Sequence, residues 1–360
     1  MSDFGSKVYM IPRKTRIQPT RRLIFFLLAY MTLACGLDAL AGVLDPAKIH
    51  YRYIQNKDIQ NAPVLVLIHG LKGTSQTFDG VLPSLSKNFS VLVYDQRGHG
   101  QTEELGLEYG PHSLARDLAN LLDHLHMDRV HLLGHSFGAK TALAFAEIFP
   151  RRTQSLILED MGIKAGSDPM LGKDEILKKA HEVQLSYQPS YSTKEELLNV
   201  AQKVTGDSVK YLERKVKTNP QGLFELTFKP HVSILYHYFC RKEDFVEAWM
   251  DLTQPVLFLT ADPSYSAVSR SEYFSIKKMK RSGKTQFVEI AGADHSIHKT
   301  HPERFVEVVT QFLEVQSSSS TILSDWSPGY GDSLEEAGSE SIIFGLGPEP
   351  KENGVRRKLF

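Results

Sequence analysis

The sequence predicts an α/β protein: a mostly parallel central sheet with helices on both faces, and a helical cap inserted into it. Three observations carry that prediction. Six short apolar runs recur between residues 49 and 314. Stretches with helical periodicity lie between them. The alternation breaks once, between about 161 and 250, where the chain is charged, aromatic and helical in pattern.

In chain order the runs are Val64–Ile68, Val91–Tyr94, Val130–Leu133, Leu156–Leu158, Val256–Leu259 and Phe287–Ile290. Nearly continuous apolar runs of this length, several bounded by Gly, Pro or Asp, are how strands buried on both faces read. Before the third run, Leu114, Leu118, Leu121, Leu122 and Leu125 fall at i, i+4, i+7, i+8 and i+11, which is one face of a helix. After Gly138, the residues Ala142, Phe145, Ala146 and Phe149 repeat the pattern. Residues 42–160 and 251–316 are thus expected to form the core. Residues 161–250, inserted after the strand ending near Leu158, are expected to cap the sheet's carboxyl edge. From Ser317-Ser-Ser-Ser320 onward the chain turns to Ser, Gly, Pro and Glu, so 317–360 reads as a mostly disordered tail.

With 360 residues, 41% hydrophobic and 23% charged, the chain can bury a substantial core. Forty-two basic residues balance forty-two acidic ones, leaving no overall field to hold nucleic acid or an anionic membrane. The one basic concentration, Arg13, Lys14, Arg16, Arg21 and Arg22, precedes the apolar run Leu23–Ala34 and then Ala39-Leu40-Ala41-Gly42. Those are the three parts of a secretory signal, so 1–41 is expected to be a cleaved leader and the mature protein periplasmic or secreted. The apolar run is shorter than the roughly 20 residues a spanning helix needs. A membrane association would follow only if this segment were retained, or lipidated at Cys35. Removal of the leader leaves Cys240 as the single cysteine and excludes an internal disulfide. Its aromatic setting, Tyr236-His-Tyr-Phe-Cys240, reads as that of a buried inert thiol.

The chemistry concentrates in Gly134-His135-Ser136-Phe137-Gly138, between the third strand and the helix that follows. A nucleophilic hydroxyl needs a tight turn, and flanking glycines leave room where a Cβ would meet the neighbouring strand or helix. The helix behind it points unpaired N–H groups at a reacting carbonyl. Among fourteen histidines, His295 lies on a loop after a sheet strand, at the edge where Ser136 must also sit. It is the expected base, taking the proton from Ser136 and returning it to the leaving group. The acid is open between Asp160, after the strand Leu156–Leu158, and Asp262, after Val256–Leu259. Asp160 is favoured because Pro263 restrains the backbone beside Asp262. No metal-ligand spacing, G-x-G-x-x-G or P-loop is present, so no metal or cofactor is expected. The three-residue spacing of His295, His298 and His301 suggests a helical metal face, but the loop context opposes it.

These residues make the chain resemble the α/β-hydrolases from about residue 49 to 314. His69-Gly70 with Gly73 falls where that family places an oxyanion loop. Asp95-Gln-Arg-Gly-His-Gly100 resembles its structural D-x-R-G-x-G turn, and Ala291-Gly-Ala-Asp-His295 its catalytic-histidine loop, with Asp294 in place of a glycine. Lys140, in Gly-His-Ser-Phe-Gly-Ala-Lys, together with His295 and His298, resembles the small-acyl carboxylesterases. The resemblance implies a Ser-His-Asp triad and an oxyanion hole from the backbone N–H groups of Phe137 and Leu71. It implies a carboxylesterase acting on a small-molecule ester, with the cap aromatics Phe224, Phe228, Tyr236, Tyr238, Phe239 and Trp249 either shaping an acyl pocket or forming plain cap core. Thioesterase and lactonase activities share the machinery, and a non-catalytic binding protein of the same fold is the rival of another class. Fractionation of cells expressing the full chain tests the leader. A soluble product outside the cytoplasm, shortened at its N-terminus, is expected; a full-length product in the membrane fraction would identify an anchor.

Overall fold

The computed structural model describes residues 45–166, 171–279 and 284–324. The leader at 1–41 and the tail beyond 324 lie outside the described residues. Among the described residues there are nine strands: β1 (Tyr51–Ile54), β2 (Val64–Ile68), β3 (Ser90–Tyr94), β4 (Val130–His135), β5 (Thr153–Glu159), β6 (Val216–Thr218), β7 (Phe224–Leu226), β8 (Val256–Thr260) and β9 (Thr285–Glu289). Seven form the central sheet in the order β1-β3-β2-β4-β5-β8-β9. Every pairing in it is parallel except that of the edge strand β1, which runs antiparallel to β3. The six sequence runs are the six parallel strands. β1 has no such signal: Tyr51-Arg-Tyr-Ile carries a charge, lies at an edge and is only partly buried.

The helices in chain order are α1 (Leu82–Leu85), α2 (Pro111–His124) and α3 (Phe137–Ile148). The insertion adds α4 (Lys173–Ser186), α5 (Lys194–Thr205), α6 (Val209–Glu213), α7 (Pro230–Lys242) and α8 (Val246–Asp251). After it come α9 (Arg270–Met279), α10 (Ile297–Thr300) and α11 (Pro302–Ser324). The pleat's period of two divides the core between the sheet faces. Val66, Ile68, Leu132, Leu156 and Leu158 meet Leu118 and Leu122 of α2, Phe145 of α3 and Trp249 of α8 on one side. Leu65, Leu67, Leu133, Ile157 and Leu257 meet Leu82 and Leu85 of α1 and Phe305, Val309 and Phe312 of α11 on the other. Buried on both faces, β2 to β5 and β8 put their carboxyl ends at one rim, where such sheets carry their ligands.

The insertion between β5 and β8 is not wholly helical, because β6 and β7 pair antiparallel within it. Three residues each, they are too short to register as periodic runs. α11 continues through Ser324, past the sequence boundary at 316, since no Gly or Pro interrupts the chain before Pro328. Among the described residues no helix is long and apolar enough to cross a membrane.

Two of the buried histidines, His131 and His99, bear on stability. His131 of β4 shares a 2.7 Å hydrogen bond with Ser155 Oγ, and His99 bonds the Arg97 carbonyl at 3.1 Å. Burial lowers the first to a pKa of about 4, with the Arg129 charge adding to it, and the second to about 3. Both are neutral in the folded protein, while the unfolded chain gains a proton at each near pH 6.5. Stability contributed by each neutral ring is therefore complete above about pH 6.5 and falls as pH drops toward 4, by about 1.4 kcal/mol per pH unit per ring. Urea unfolding at pH 7 and pH 5 should show the decline, and His131→Gln should flatten it. An unchanged slope in that variant would show that His131 does not contribute.

Candidate active site

The candidate nucleophile owes its position to one strained residue. Ser136 links β4 to α3 with φ of 53° and ψ of −130°, at positive φ and outside the usual helical and extended regions. A non-glycine residue at positive φ costs on the order of 1–3 kcal/mol. Its backbone is held on both sides: its N–H donates to the Glu159 carbonyl at 2.9 Å and its carbonyl accepts from Ala139 N at 2.8 Å. The flanking glycines are required by contact. A Cβ on Gly134 would overlap the Gly138 carbonyl oxygen, and one on Gly138 would overlap the Ile68 carbonyl oxygen. Gly70 lets the loop after β2 close on the elbow, because a Cβ there would stand 2.8 Å from Ser136 Cβ.

The loop after β9 carries His295 to this bend. Its Nε2 lies 2.9 Å from Ser136 Oγ and its Nδ1 2.7 Å from Asp160 Oδ2. A carboxylate can only accept, so Nδ1 carries the hydrogen and Nε2 turns its lone pair to the hydroxyl. The His295 side chain is 39% exposed and that of Asp160 0%, so the imidazole opens toward solvent while the carboxylate is sealed behind it.

Asp160 follows β5 directly and also adopts positive φ, at 50°. Burial alone would raise its pKa. That is the largest single effect, but the hydrogen bonds from His295, from Ser266 Oγ at 2.5 Å, from Ala267 N at 2.9 Å and from Ala261 N at 3.0 Å together outweigh it and hold the carboxyl below its ordinary value. Asp262 stands elsewhere. Its carboxylate accepts the amides of Ser264 at 2.9 Å and Gly292 at 3.1 Å, so it ties its own turn to the loop after β9. Sequence reasoning did not find Ser266, because no local pattern links a serine in the loop after β8 to an aspartate after β5.

Phe137 opens α3, where a backbone N–H has no intrahelical partner. Among the described residues neither its amide nor that of Leu71 has a protein acceptor. Both lie beside Ser136, one through sequence and the other through the close approach of Gly70. His69 is fully buried and structural: its Nδ1 donates to the Gly70 carbonyl at 2.9 Å and its Nε2 accepts from Gln96 N at 3.0 Å. Lys140 is buried as well. Its ammonium donates to the carbonyls of Lys164, Cys240 and Glu243 at 2.8–2.9 Å, fastening α3 to both ends of the insertion.

The cap aromatics separate into three groups. Trp249 packs on the sheet with Phe258 and Phe287. Phe224 and Phe228 belong to a cluster within the cap. Tyr236 and Phe239 pack with Phe137 and Leu71, the group nearest the elbow. A cavity of about 460 Å³ is lined by Phe137, Met161, Gly162, Arg241, Ala267 and Glu272 among others. Its walls include the residue after Ser136 and the residue after Asp160 but none of Ser136, Asp160 and His295. His298, read from the sequence beside His295, turns its ring inward and is fully buried.

Residues 63–190 match the sequence profile of the α/β hydrolase fold. A putative esterase/lipase of Haemophilus influenzae is 23% identical over 280 residues, which is 75% of this chain and 90% of that protein. A 2-hydroxy-6-oxo-2,4-heptadienoate hydrolase of Pseudomonas putida is 40% identical over 106 residues, 28% of this chain and 38% of that one. Among solved structures, a marine microorganism esterase superposes with a TM-score of 0.57 at 21% identity, covering 73% of this chain and 98% of its own.

The two aspartates can be told apart by isosteric substitution. Asp160→Asn should lower kcat on an activated ester by on the order of 10⁴, the loss seen on the corresponding change in chymotrypsin. Asp262→Asn should leave kcat within about threefold, since a loop-capping bond contributes only to stability. The reverse ranking would overturn the assignment.

Proposed function

The chain carries the α/β-hydrolase fold, and from that premise we propose that it is a serine hydrolase cleaving carboxylic esters through an acyl-enzyme. The observation that carries the reading is the unbroken relay from Ser136 Oγ through His295 to Asp160, at 2.9 and 2.7 Å. A fold by itself specifies no chemistry. This constellation supports acyl transfer through a serine.

In the proposed reaction His295 Nε2 takes the hydroxyl proton as Ser136 Oγ bonds to the ester carbonyl carbon. Positive charge on the imidazole is stabilised by Asp160, a carboxylate already ionised and fixed by four donors. Negative charge on the former carbonyl oxygen is met by the amides of Phe137 and Leu71, oriented before substrate arrives. The intermediate collapses when His295 gives its proton to the departing alkoxide, leaving Ser136 acylated. A water deprotonated by the same imidazole attacks the acyl carbon, and the acid product leaves with Ser136 restored. The partial exposure of His295 gives that water access. The Haemophilus relative's description as a putative esterase/lipase points the same way.

A fluorophosphonate probe and a p-nitrophenyl ester test the proposal together. The native protein should be labelled and should turn over; Ser136→Ala should abolish labelling and cut kcat by on the order of 10⁶, the scale of losing a triad nucleophile. A variant that still labels or turns over at the native rate would place the chemistry elsewhere, and a native protein inert to both would mark a binding protein.

A further inference from the structure

Directly beneath the relay lies a second layer of buried polar side chains, each close in sequence to one of its members. His135 precedes Ser136, Glu159 precedes Asp160, and His298 follows His295 by three residues. The β4–β5 register sets His135 opposite Glu159. The side chains of Glu159 and His298 are both 0% exposed. His298 Nδ1 lies 2.8 Å from Glu159 Oε1 and 3.0 Å from Oε2, and the backbone N–H of His298 donates to Oε1 at 3.0 Å. The other ring nitrogen, Nε2, meets Thr77 Oγ1 at 3.2 Å. His135 Nε2 donates to the His295 carbonyl at 3.0 Å.

The donor atoms of His135, Glu159 and His298 come within 4.8 Å of one another, a grouping that could hold a cation. Both nitrogens of His298 and Nε2 of His135 are already engaged by protein partners, so the set closes on itself as a hydrogen-bonded layer. Stability alone does not explain it, since a desolvated carboxylate–imidazole pair can often be replaced by apolar residues at no loss. Its attachments give it another purpose. The His295 ring is half open to solvent and sits on a loop, yet proton transfer needs its Nε2 placed within a fraction of an ångström. Glu159 grips that loop twice, through the N–H and the ring of His298, from the end of β5. His135 grips it once more at the His295 carbonyl. Through Thr77 the same layer reaches the segment following the oxyanion loop.

We propose that Glu159 and His298 form a positioning pair, a buried clamp that locks the His295 loop to β5 and so sets the distance from His295 to Ser136. The proposal rests on the serine-hydrolase reading above. The pair touches no reacting atom and acts through the base. Disorder in the His295 loop should slow proton transfer while leaving substrate binding intact.

The test compares Glu159→Gln with the apolar double variant Glu159→Leu/His298→Leu. Glu159→Gln should lower kcat about 10²-fold, with KM within about threefold, and slow fluorophosphonate labelling of Ser136 by a similar factor. Glu159→Asp, which restores the charge, should recover part of that loss. The double variant should unfold at or above the native temperature and still show the lowered kcat, a split that a purely structural role would not produce. If the double variant is both stable and fully active, or Glu159→Gln keeps native kcat, the clamp is refuted. Should Glu159→Gln fail to fold, the double variant decides alone. Ser136→Ala is run alongside: native activity there would refute the serine-hydrolase reading itself, whereas loss there with full activity in the clamp variants refutes only the clamp.

Discussion

The site depends on one backbone constraint, the positive φ at Ser136. A strand ending on the rim of a parallel sheet must reverse into a helix within a single residue if that residue's side chain is to stand clear of both. The left-handed turn does this, and it is tolerated only because the surroundings over-determine it. The Glu159 carbonyl takes the Ser136 amide, Gly134 and Gly138 let strand and helix approach to backbone contact, and Gly70 lets the next loop close over the bend. The same approach that removes steric conflict brings the segment after Gly70 beside the hydroxyl. Strain and close packing are therefore consequences of one turn.

The buried ionic groups are consistent with that frame. Each is satisfied by groups on different segments, so each also joins parts of the chain. Arg97 forms a bidentate pair with Asp117 at 2.5 Å and donates to the carbonyls of Leu105 and Glu108, fixing the turn after β3 to α2. Lys140 spends its three hydrogens on three carbonyls of the insertion. Asp160 collects donors from the loops after β8 and β9. In water such bonds are nearly neutral exchanges, but in the interior leaving any one unmade would cost the full desolvation of a charge. That asymmetry makes the arrangement specific: other arrangements of these loops would leave a charge bare.

The insertion divides its labour in the same manner. Trp249 belongs to the sheet's core, Phe224 and Phe228 to the cap's own interior, and only Tyr236 and Phe239 reach Phe137 and Leu71. The aromatics of the cap thus divide between the sheet, the cap's own interior and the elbow at Ser136.

Much of this was legible in the residues alone. Two-faced burial forces strands β2 to β5 and β8 to be apolar along their length, so the parallel sheet announces itself. The glycine-flanked Ser136 and the post-strand His295 mark the rim because their local context is the turn itself. β1 went unread because an edge strand needs only one covered face, and β6 with β7 because three residues carry no period. The choice between Asp160 and Asp262 could not be made locally. Both follow neighbouring parallel strands, and what separates them is that the β9 loop aims Nδ1 of His295 at one while Ser264 and Gly292 occupy the other. The Glu159–His298 layer was hidden for the same reason. Hydrophobic periodicity is a property of neighbours along the chain, whereas a hydrogen bond between residues more than a hundred positions apart exists only once the sheet has brought them together.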